Sequence, residues 1–266
     1  MTNSGNAAVG GLFDLTGQVA VITGSSRGIG RAIAQRMAQH GAKVVISSRK
    51  QAACDAAAQD INDLYGDGRA VAIAASLSDK ASLLGLAERV QDMWGRIDIL
   101  VCCAATNPYY GPMSAISDEA FRKVMDNNVI ANHWLIQAVA PGMRARRDGS
   151  IIVISSIGGY VGSPVIGAYN ISKAADMQLA RNLATEFGGD NVRVNCIAPG
   201  LVRTDLSRAI VDDPKSLQFY LDTTPLKRIA EPDDIAGAAV FLASPASAFV
   251  TGQTMVVDGG VTIRGV

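Results

Sequence analysis

Seven short runs of apolar, largely β-branched residues recur along the chain, at 18–23, 43–47, 70–74, 98–103, 150–155, 192–197 and 254–257. They are almost continuously apolar instead of alternating with polar residues, which marks strands buried on both faces of a parallel sheet. Helical patterns fill the gaps. Ile29, Ile33 and Met37 return at helical spacing after the first run, Gly41 supplies a stop, and longer helical stretches lie near 117–143 and 167–188. Parallel neighbours need a crossover connection, so this alternation predicts right-handed βαβ units. The expected fold class is α/β: a single Rossmann-type doubly wound domain with a mostly parallel seven-stranded sheet flanked by helices. The chain of 266 residues is long enough for one full core, with no repeat or linker to divide it. Residues 1–16 are small and polar and read as a flexible lead-in; 17–266 form the domain.

Lys+Arg and Asp+Glu both number 24, so the balance points to neither nucleic acid nor an anionic membrane as partner. No run reaches the roughly 18 apolar residues that a membrane-spanning helix needs. The first basic residue is Arg27, so a basic leader is not expected, and the ending Ile263-Arg264-Gly265-Val266 is no peroxisomal address. A cytoplasmic protein is the expectation. Cys54, Cys102, Cys103 and Cys196 form no spaced framework, and His40 and His133 stand far from other ligand types. No metal site is expected.

The first apolar run ends in Thr23-Gly24-Ser25-Ser26-Arg27-Gly28-Ile29-Gly30. Glycines between a strand and a helix let the backbone turn sharply and approach a pyrophosphate, which then meets the positive end of the helix. An acid at the end of the second strand would bind the ribose 2′-hydroxyl of NAD. That region reads Ile46-Ser47-Ser48-Arg49-Lys50 and contains none. Arg49 and Arg27, with Ser48 as a supporting donor, suit a 2′-phosphate, so NADP(H) is the expected cofactor. The plainer alternative leaves Arg49 and Lys50 as solvated surface charge.

Tyr169 and Lys173 stand at i, i+4, on one helix face, and Ser156 closes the fifth run at the carboxyl edge where open α/β sheets bind ligands. A phenol with an ordinary pKa near 10 handles protons poorly at neutral pH. An adjacent ammonium is expected to pull it down toward the working range.

In order and separation, Thr23–Gly30, Asn128, Ser156, Tyr169, Lys173 and Pro199-Gly200 resemble the short-chain dehydrogenase/reductase family. The likeness runs from about Leu15 to Gly260 and takes in Arg228-Ile229-Ala230-Glu231-Pro232 and Val257-Asp258-Gly259-Gly260. It implies four catalytic positions. Tyr169 is the acid in carbonyl reduction and the base in reverse, and Lys173 lowers its pKa and holds the nicotinamide ribose. Ser156 polarises the substrate oxygen, and Asn128 positions a proton-relay water, unless it merely distorts or caps its helix. Gly200 and Thr204, with the backbone of Val202, match the segment that fixes the nicotinamide carboxamide. The implied cofactor contacts are Gly24, Ser26, Arg27, Gly28, Ile29, Gly30, Ser48, Arg49, Ser76, Leu77, Ala104, Tyr169, Lys173, Pro199, Gly200, Val202 and Thr204. Two departures stand out. Cys102-Cys103-Ala104-Ala105 replaces the usual Asn-Asn-Ala-Gly, and Ser76, followed by Leu77, replaces the usual Asp facing the adenine.

Substrate selection in such a fold falls to Tyr109, Tyr110, Tyr160, Val161, Leu206 and the 205–226 region with Phe219, Tyr220 and Leu221, inside a lid at about 203–228. An apolar, aromatic lining suits a hydrophobic ketone or aldehyde, though the same residues serve equally to pack the lid. The stretch Ala105–Gly111 and the Ser-Ser-Arg-Lys string look similar to NADP-dependent carbonyl/retinal reductases of the family. Reduction of 3-oxoacyl groups on acyl carrier protein is the near alternative, with Arg144, Arg146 and Arg147 as a docking patch. A catalytically silent NADP-binding sensor or scaffold is the alternative from another class. The resemblance implies a homotetramer, or a dimer, paired through helices carrying Trp134, Leu135, Ile136, Ala174, Met177, Leu179 and Ala180, whose apolar faces core packing also explains. Adjacent Cys102 and Cys103 point to opposite faces of a strand and read as core filling, not as a reactive pair.

Overall fold

The computed structural model describes residues 11–264. Seven strands, β1 (Val19–Thr23), β2 (Lys43–Ser47), β3 (Ala70–Ala72), β4 (Ile99–Cys102), β5 (Gly149–Ile154), β6 (Val192–Pro199) and β7 (Thr254–Val257), form one sheet in the order β3-β2-β1-β4-β5-β6-β7. Every pairing is parallel. The strands are short because each crosses one core thickness. Those in the middle are buried along their whole length, β5 at all six positions. Each Ile or Val taken fully from water there contributes about 1.5–3 kcal/mol.

The period-2 geometry divides these side chains between two cores. Val21, Leu100, Cys102, Ile151 and Val194 face one side of the sheet. There they meet α3 (Lys80–Trp94), α5 (Ala131–Arg146) and α6 (Gly167–Phe187). Ile22, Ile46, Val101, Ile152 and Ile197 face the other, against α1 (Gly28–Gln39), α2 (Gln51–Tyr65) and α9 (Pro232–Ala243). The remaining helices are α4 (Asp118–Met125), separated from α5 by a π turn at Asp126–Ile130, and two short ones, α7 (Arg208–Val211) and α8 (Pro214–Thr223).

Residues 1–10 of the expected lead-in lie outside the described residues. Its last part is not loose: Leu15 is fully buried, its N–H donates to the His40 carbonyl, and Leu12 O accepts from Ala246 N. A single leucine entering the core between α1 and α9 is enough to anchor a polar segment. Among the described residues no helix is long and apolar enough to cross a membrane.

Strand order reverses at β1, which pairs with β2 on one side and β4 on the other. The crevice beyond the carboxyl ends of β1 and β4 is therefore the natural ligand site of the fold.

Candidate active site

The glycine turn borders this crevice. Gly24 has φ +68°, and a Cβ there would lie 2.9 Å from Ala104 Cα, so only glycine lets the β1 and β4 ends touch. A Cβ on Gly30 would fall 2.5 Å from the Gly24 carbonyl oxygen. Ser25, buried, locks the turn by donating to Ile22 O and accepting from Ser47 N. The first turn of α1 has no side-chain cap, leaving its N–H groups free for an anion. The cradle thus fits a pyrophosphate.

The other expected contacts surround it. Ser26 and Gly28 lie in the turn, and Ile29 packs against the apolar cluster that contains Val202. Thr204 comes within 3.4 Å of where a Gly28 Cβ would stand, which joins the segment after β6 to the turn. Pro199 ends β6, and Gly200 sits where a Cβ would strike Asp258 Cα at 2.9 Å. Ser48 Oγ lies 3.1 Å from Cys54 Sγ, while Arg49 projects into solvent past β2. Ser76 is held through its N–H by Ser82 Oγ, and Leu77 packs on the core. Arg27, exposed, forms a 2.5 Å ion pair with Asp205, a partner far away in sequence.

Cys102 and Cys103 occupy opposite cores, as their alternation requires, and burial pushes both thiols up, Cys103 to about 12. Among the described residues no group of His, Cys, Asp and Glu is placed to hold a metal. Thr23 braces this turn from β1. Its buried Oγ1 accepts from the N–H groups of Cys103 (3.0 Å) and Ala104 (3.2 Å). Thr23→Val strands both donors at a cost of about 1–3 kcal/mol. The expected loss is several degrees in Tm, read by differential scanning fluorimetry; an unchanged Tm would show that Thr23 braces nothing.

Ser156 lies two residues beyond β5, at the start of a 3₁₀ turn (Ile157–Gly159), where its Oγ accepts from Gly158 N at 3.0 Å. Tyr169 and Lys173 lie one turn apart on α6, with Nζ 5.6 Å from the phenol ring. Ser155 Oγ donates to the Lys173 carbonyl at 2.7 Å and pins α6 against the end of β5. Lys173 is almost wholly buried. Its Nζ donates to Ile154 O (2.9 Å) and Asp176 Oδ2 (3.0 Å), which leaves one of its three N–H groups free.

The expected lowering of the Tyr169 pKa does not occur in this state. Burial raises it, the Lys173 charge and the Ser156 hydroxyl oppose the rise, and Asp176 adds to it, so the phenol stands above its ordinary value. Burial is the main cause, and Asp176 opposes the Lys173 charge to a smaller extent.

Asn128 sits in the π turn, where the Ala131 N–H reaches back five residues to the Asp126 carbonyl. The helix distortion expected as its alternative role is present at this position, and the amide spans to its neighbours. Thr106 N donates to Oδ1 (2.8 Å), and Nδ2 donates to Thr106 O and Ser172 Oγ, each at 3.0 Å. With both amide N–H groups engaged, the side chain clamps the loop after β4 to α6. The Asn128 backbone carbonyl accepts from Asn132 Nδ2 at 2.6 Å, and the same Nδ2 lies 3.1 Å from Asp176 Oδ1. Asp176 and Asn132 were not anticipated from the sequence. The only local signal was an acid at i+3 from Lys173 on a helix face otherwise bound for the core.

Around the crevice mouth Tyr110, Tyr160, Val161, Leu206 and Phe219 are each about half exposed. Tyr109 Oη donates to Pro112 O, and Phe219 meets Tyr220 edge to face. The segment expected to form a lid, about 203–228, contains α7 and α8, and Asp213 caps α8 through the Ser216 N–H. Leu135, Ile136, Met177 and Ala180 are buried inside the chain and offer nothing to a partner; Ile130, Ile171 and Ala174 are exposed. The arginines of the expected docking patch are engaged internally. Arg144 pairs with Asp190 and Glu186, Arg147 with Asp190, and Arg146 with Ile97 O and Asp98.

Comparison with known proteins agrees with this geometry. Residues 24–262 match the family model described as enoyl-(acyl carrier protein) reductase. Dehydrogenase/reductase SDR family member 4 of Bos taurus is 42% identical over 250 residues, 92% of this chain and 88% of that protein. A gluconate 5-dehydrogenase from Burkholderia cenocepacia, solved in complex with NADP and tartrate, superposes with a TM-score of 0.91 at 34% identity, covering 96% of this chain and 98% of that one. A 7α-hydroxysteroid dehydrogenase, solved with NADH and 7-oxo glycochenodeoxycholic acid, superposes with a TM-score of 0.89 at 36% identity, covering 94% and 96%.

Proposed function

Since the chain belongs to the short-chain dehydrogenase/reductase family, we propose that it is an NADP(H)-dependent oxidoreductase that reduces a ketone or aldehyde to the alcohol, reversibly. One observation carries the reading: Tyr169 and Lys173 stand on one face of α6 at the carboxyl edge of the sheet, facing Ser156 and beside a glycine cradle that fits a pyrophosphate. When bound, the cofactor supplies or accepts the hydride.

The chain's own residues handle the proton and the orientation. Ser156 holds the substrate oxygen by its hydroxyl, and Tyr169 Oη delivers the proton to it. A phenol held above its ordinary pKa is protonated throughout the neutral range, the form needed for reduction. Lys173 keeps one N–H for the cofactor ribose, and Asn128 holds the loop that walls the crevice. Arg27, Arg49 and Ser48 are read as the 2′-phosphate contacts, in line with the NADP bound by the gluconate 5-dehydrogenase.

The half-exposed aromatic rim favours a hydrophobic carbonyl substrate. Acyl carrier protein is the second reading, with Arg144 and Arg147 exposed beside Asp190 and Glu186 as its docking patch. Assembly is read as a homotetramer, with exposed Ile130, Ile171 and Ala174 on the outer faces that would pair. NADPH oxidation with ketones, aldehydes, diketones and 3-oxoacyl thioesters tests the reading. Turnover is expected on apolar ketones or aldehydes, and thioester-only turnover would move the assignment to acyl reduction. Cofactor binding without any turnover would make the protein a silent binder.

A further inference from the structure

Lys173 is not alone in the core. The carboxylate of Asp176, fully buried one helical turn along α6, takes a 3.0 Å hydrogen bond from Nζ at Oδ2. Its other oxygen takes one at 3.1 Å from Asn132 Nδ2 on α5. The same amide donates to the Asn128 carbonyl at 2.6 Å. A continuous polar chain, Lys173–Asp176–Asn132–Asn128, therefore runs under the crevice, with buried Ser155 and Ser172 beside it. A buried carboxylate is costly unless paired. Both Asp176 oxygens are paired, one with the very lysine that approaches the tyrosine.

We propose that Asp176 is a positioning residue for the Tyr169–Lys173 pair: held by Asn132, its carboxylate fixes where the Lys173 side chain lies and keeps its ammonium charged inside the core. Without it the ammonium would retain only the Ile154 carbonyl as a partner. Burial would then favour the neutral amine.

The other groups facing this pair do not substitute for Asp176. On α6 there is Tyr169. From the end of β4 and the residue after it come Cys102 and Cys103, and from β6 Cys196, whose Sγ lies 3.5 Å from the Asp176 carbonyl. Burial pushes these thiols up, Cys103 and Cys196 to about 12 and Cys102 higher, so they remain neutral in the working range. Arg181 lies near Cys196 but makes its hydrogen bonds to Gln178. For Lys173 the balance is burial, which lowers its pKa, against the Asp176 charge and hydrogen bond and the phenol, which together raise it above the ordinary lysine value. Removing Asp176 takes away the largest raising contribution together with its hydrogen bond. The sign follows: the Lys173 transition moves to lower pH.

The proposal rests on reading Tyr169 and Lys173 as the proton-handling pair, yet its test needs no turnover. In protein carrying carbon-13-labelled lysine, the Lys173 resonance, assigned by its loss in Lys173→Arg, is followed against pH. In wild type it is expected to titrate above the ordinary lysine value. In Asp176→Asn its midpoint is expected to fall by about one pH unit or more, a tenfold rise in the acid dissociation constant. A smaller shift, or a wild-type Lys173 that titrates at or below the ordinary value, overturns the proposal. A purely structural role for Asp176 would alter the melting temperature and leave this midpoint in place. Should Asp176→Asn fail to fold, the wild-type midpoint decides alone, above the ordinary value for the proposal and at or below it against. Absence of turnover on every carbonyl substrate would defeat the functional reading and leave this titration to be judged by itself.

Discussion

Tyr169→Phe is expected to lower kcat for carbonyl reduction by about a thousandfold, within the range that a positioned general acid contributes, while NADPH binds as it does to the wild-type protein. The variant deletes one oxygen and keeps the ring. The half-buried phenyl still packs on α6 with Lys173 Nζ 5.6 Å away, and the Lys173 hydrogen bonds to Ile154 and Asp176 do not involve the phenol. The glycine cradle lies on another element and is untouched. What is lost is the group that can give a proton to the substrate oxygen. Ser156 cannot replace it, because a serine hydroxyl is a far weaker acid than a phenol. Steady-state rates with a responsive ketone, beside NADPH fluorescence titration, check both halves. Retention of more than about a tenth of wild-type kcat would contradict the role of a proton-transferring acid. Loss of NADPH binding together with activity would place Tyr169 in cofactor binding instead.

Local chemistry was legible in the sequence where contiguous residues suffice. The turn Thr23–Gly30 carries its own reason for glycine, since Gly24 and Gly30 allow backbone contacts that a Cβ forbids. The i, i+4 spacing of Tyr169 and Lys173 likewise fixes their shared face. The seven apolar runs correspond to the seven strands: the central ones are buried on both faces and need no partner to read, whereas the edge strands β3 and β7 are only partly buried and were legible from their apolar, β-branched content alone. What depends on tertiary contact was not legible. Asn132 and Asp176 are 44 residues apart, and nothing in either neighbourhood announces that one will satisfy the other. Reading Tyr169 with Lys173 alone gave the wrong sign for the phenol, because burial and the Asp176 charge enter only once the helices are packed. The bracing of the Cys102-Cys103 segment by Thr23 from the neighbouring strand β1 is another such tertiary contact, with no signal in either local sequence.

Replacing Arg27 and Arg49 together with alanine is expected to cut the preference for NADPH over NADH by about a hundredfold in kcat/KM. Each guanidinium offers charge-assisted hydrogen bonds worth about 1.5–3 kcal/mol to a phosphate, and solvent exposure puts both near the lower end. Two such losses give about 3 kcal/mol, and 1.4 kcal/mol is tenfold. The effect should fall on KM for NADPH, with NADH little changed, because NADH has no 2′-phosphate to lose contact with. Arg27 brings a complication that sharpens the test. It is paired at 2.5 Å with Asp205, which also holds Arg208 at 2.6 Å, so it must leave that carboxylate to meet a phosphate. An exposed pair of this kind is worth only about 0–1 kcal/mol, less than the phosphate contact that replaces it. Asp205→Asn should therefore leave NADPH binding intact or tighten it slightly. Arg27→Ala alone should then cost less than Arg49→Ala alone, because part of what Arg27 gives the phosphate it first takes from Asp205. Isothermal titration of the single variants with both nucleotides separates the terms. Equal kcat/KM for NADH and NADPH in the wild-type protein would show that neither arginine reads a 2′-phosphate, and the exposed pair at Arg27 would then be no more than a surface tie between the glycine turn and the lid.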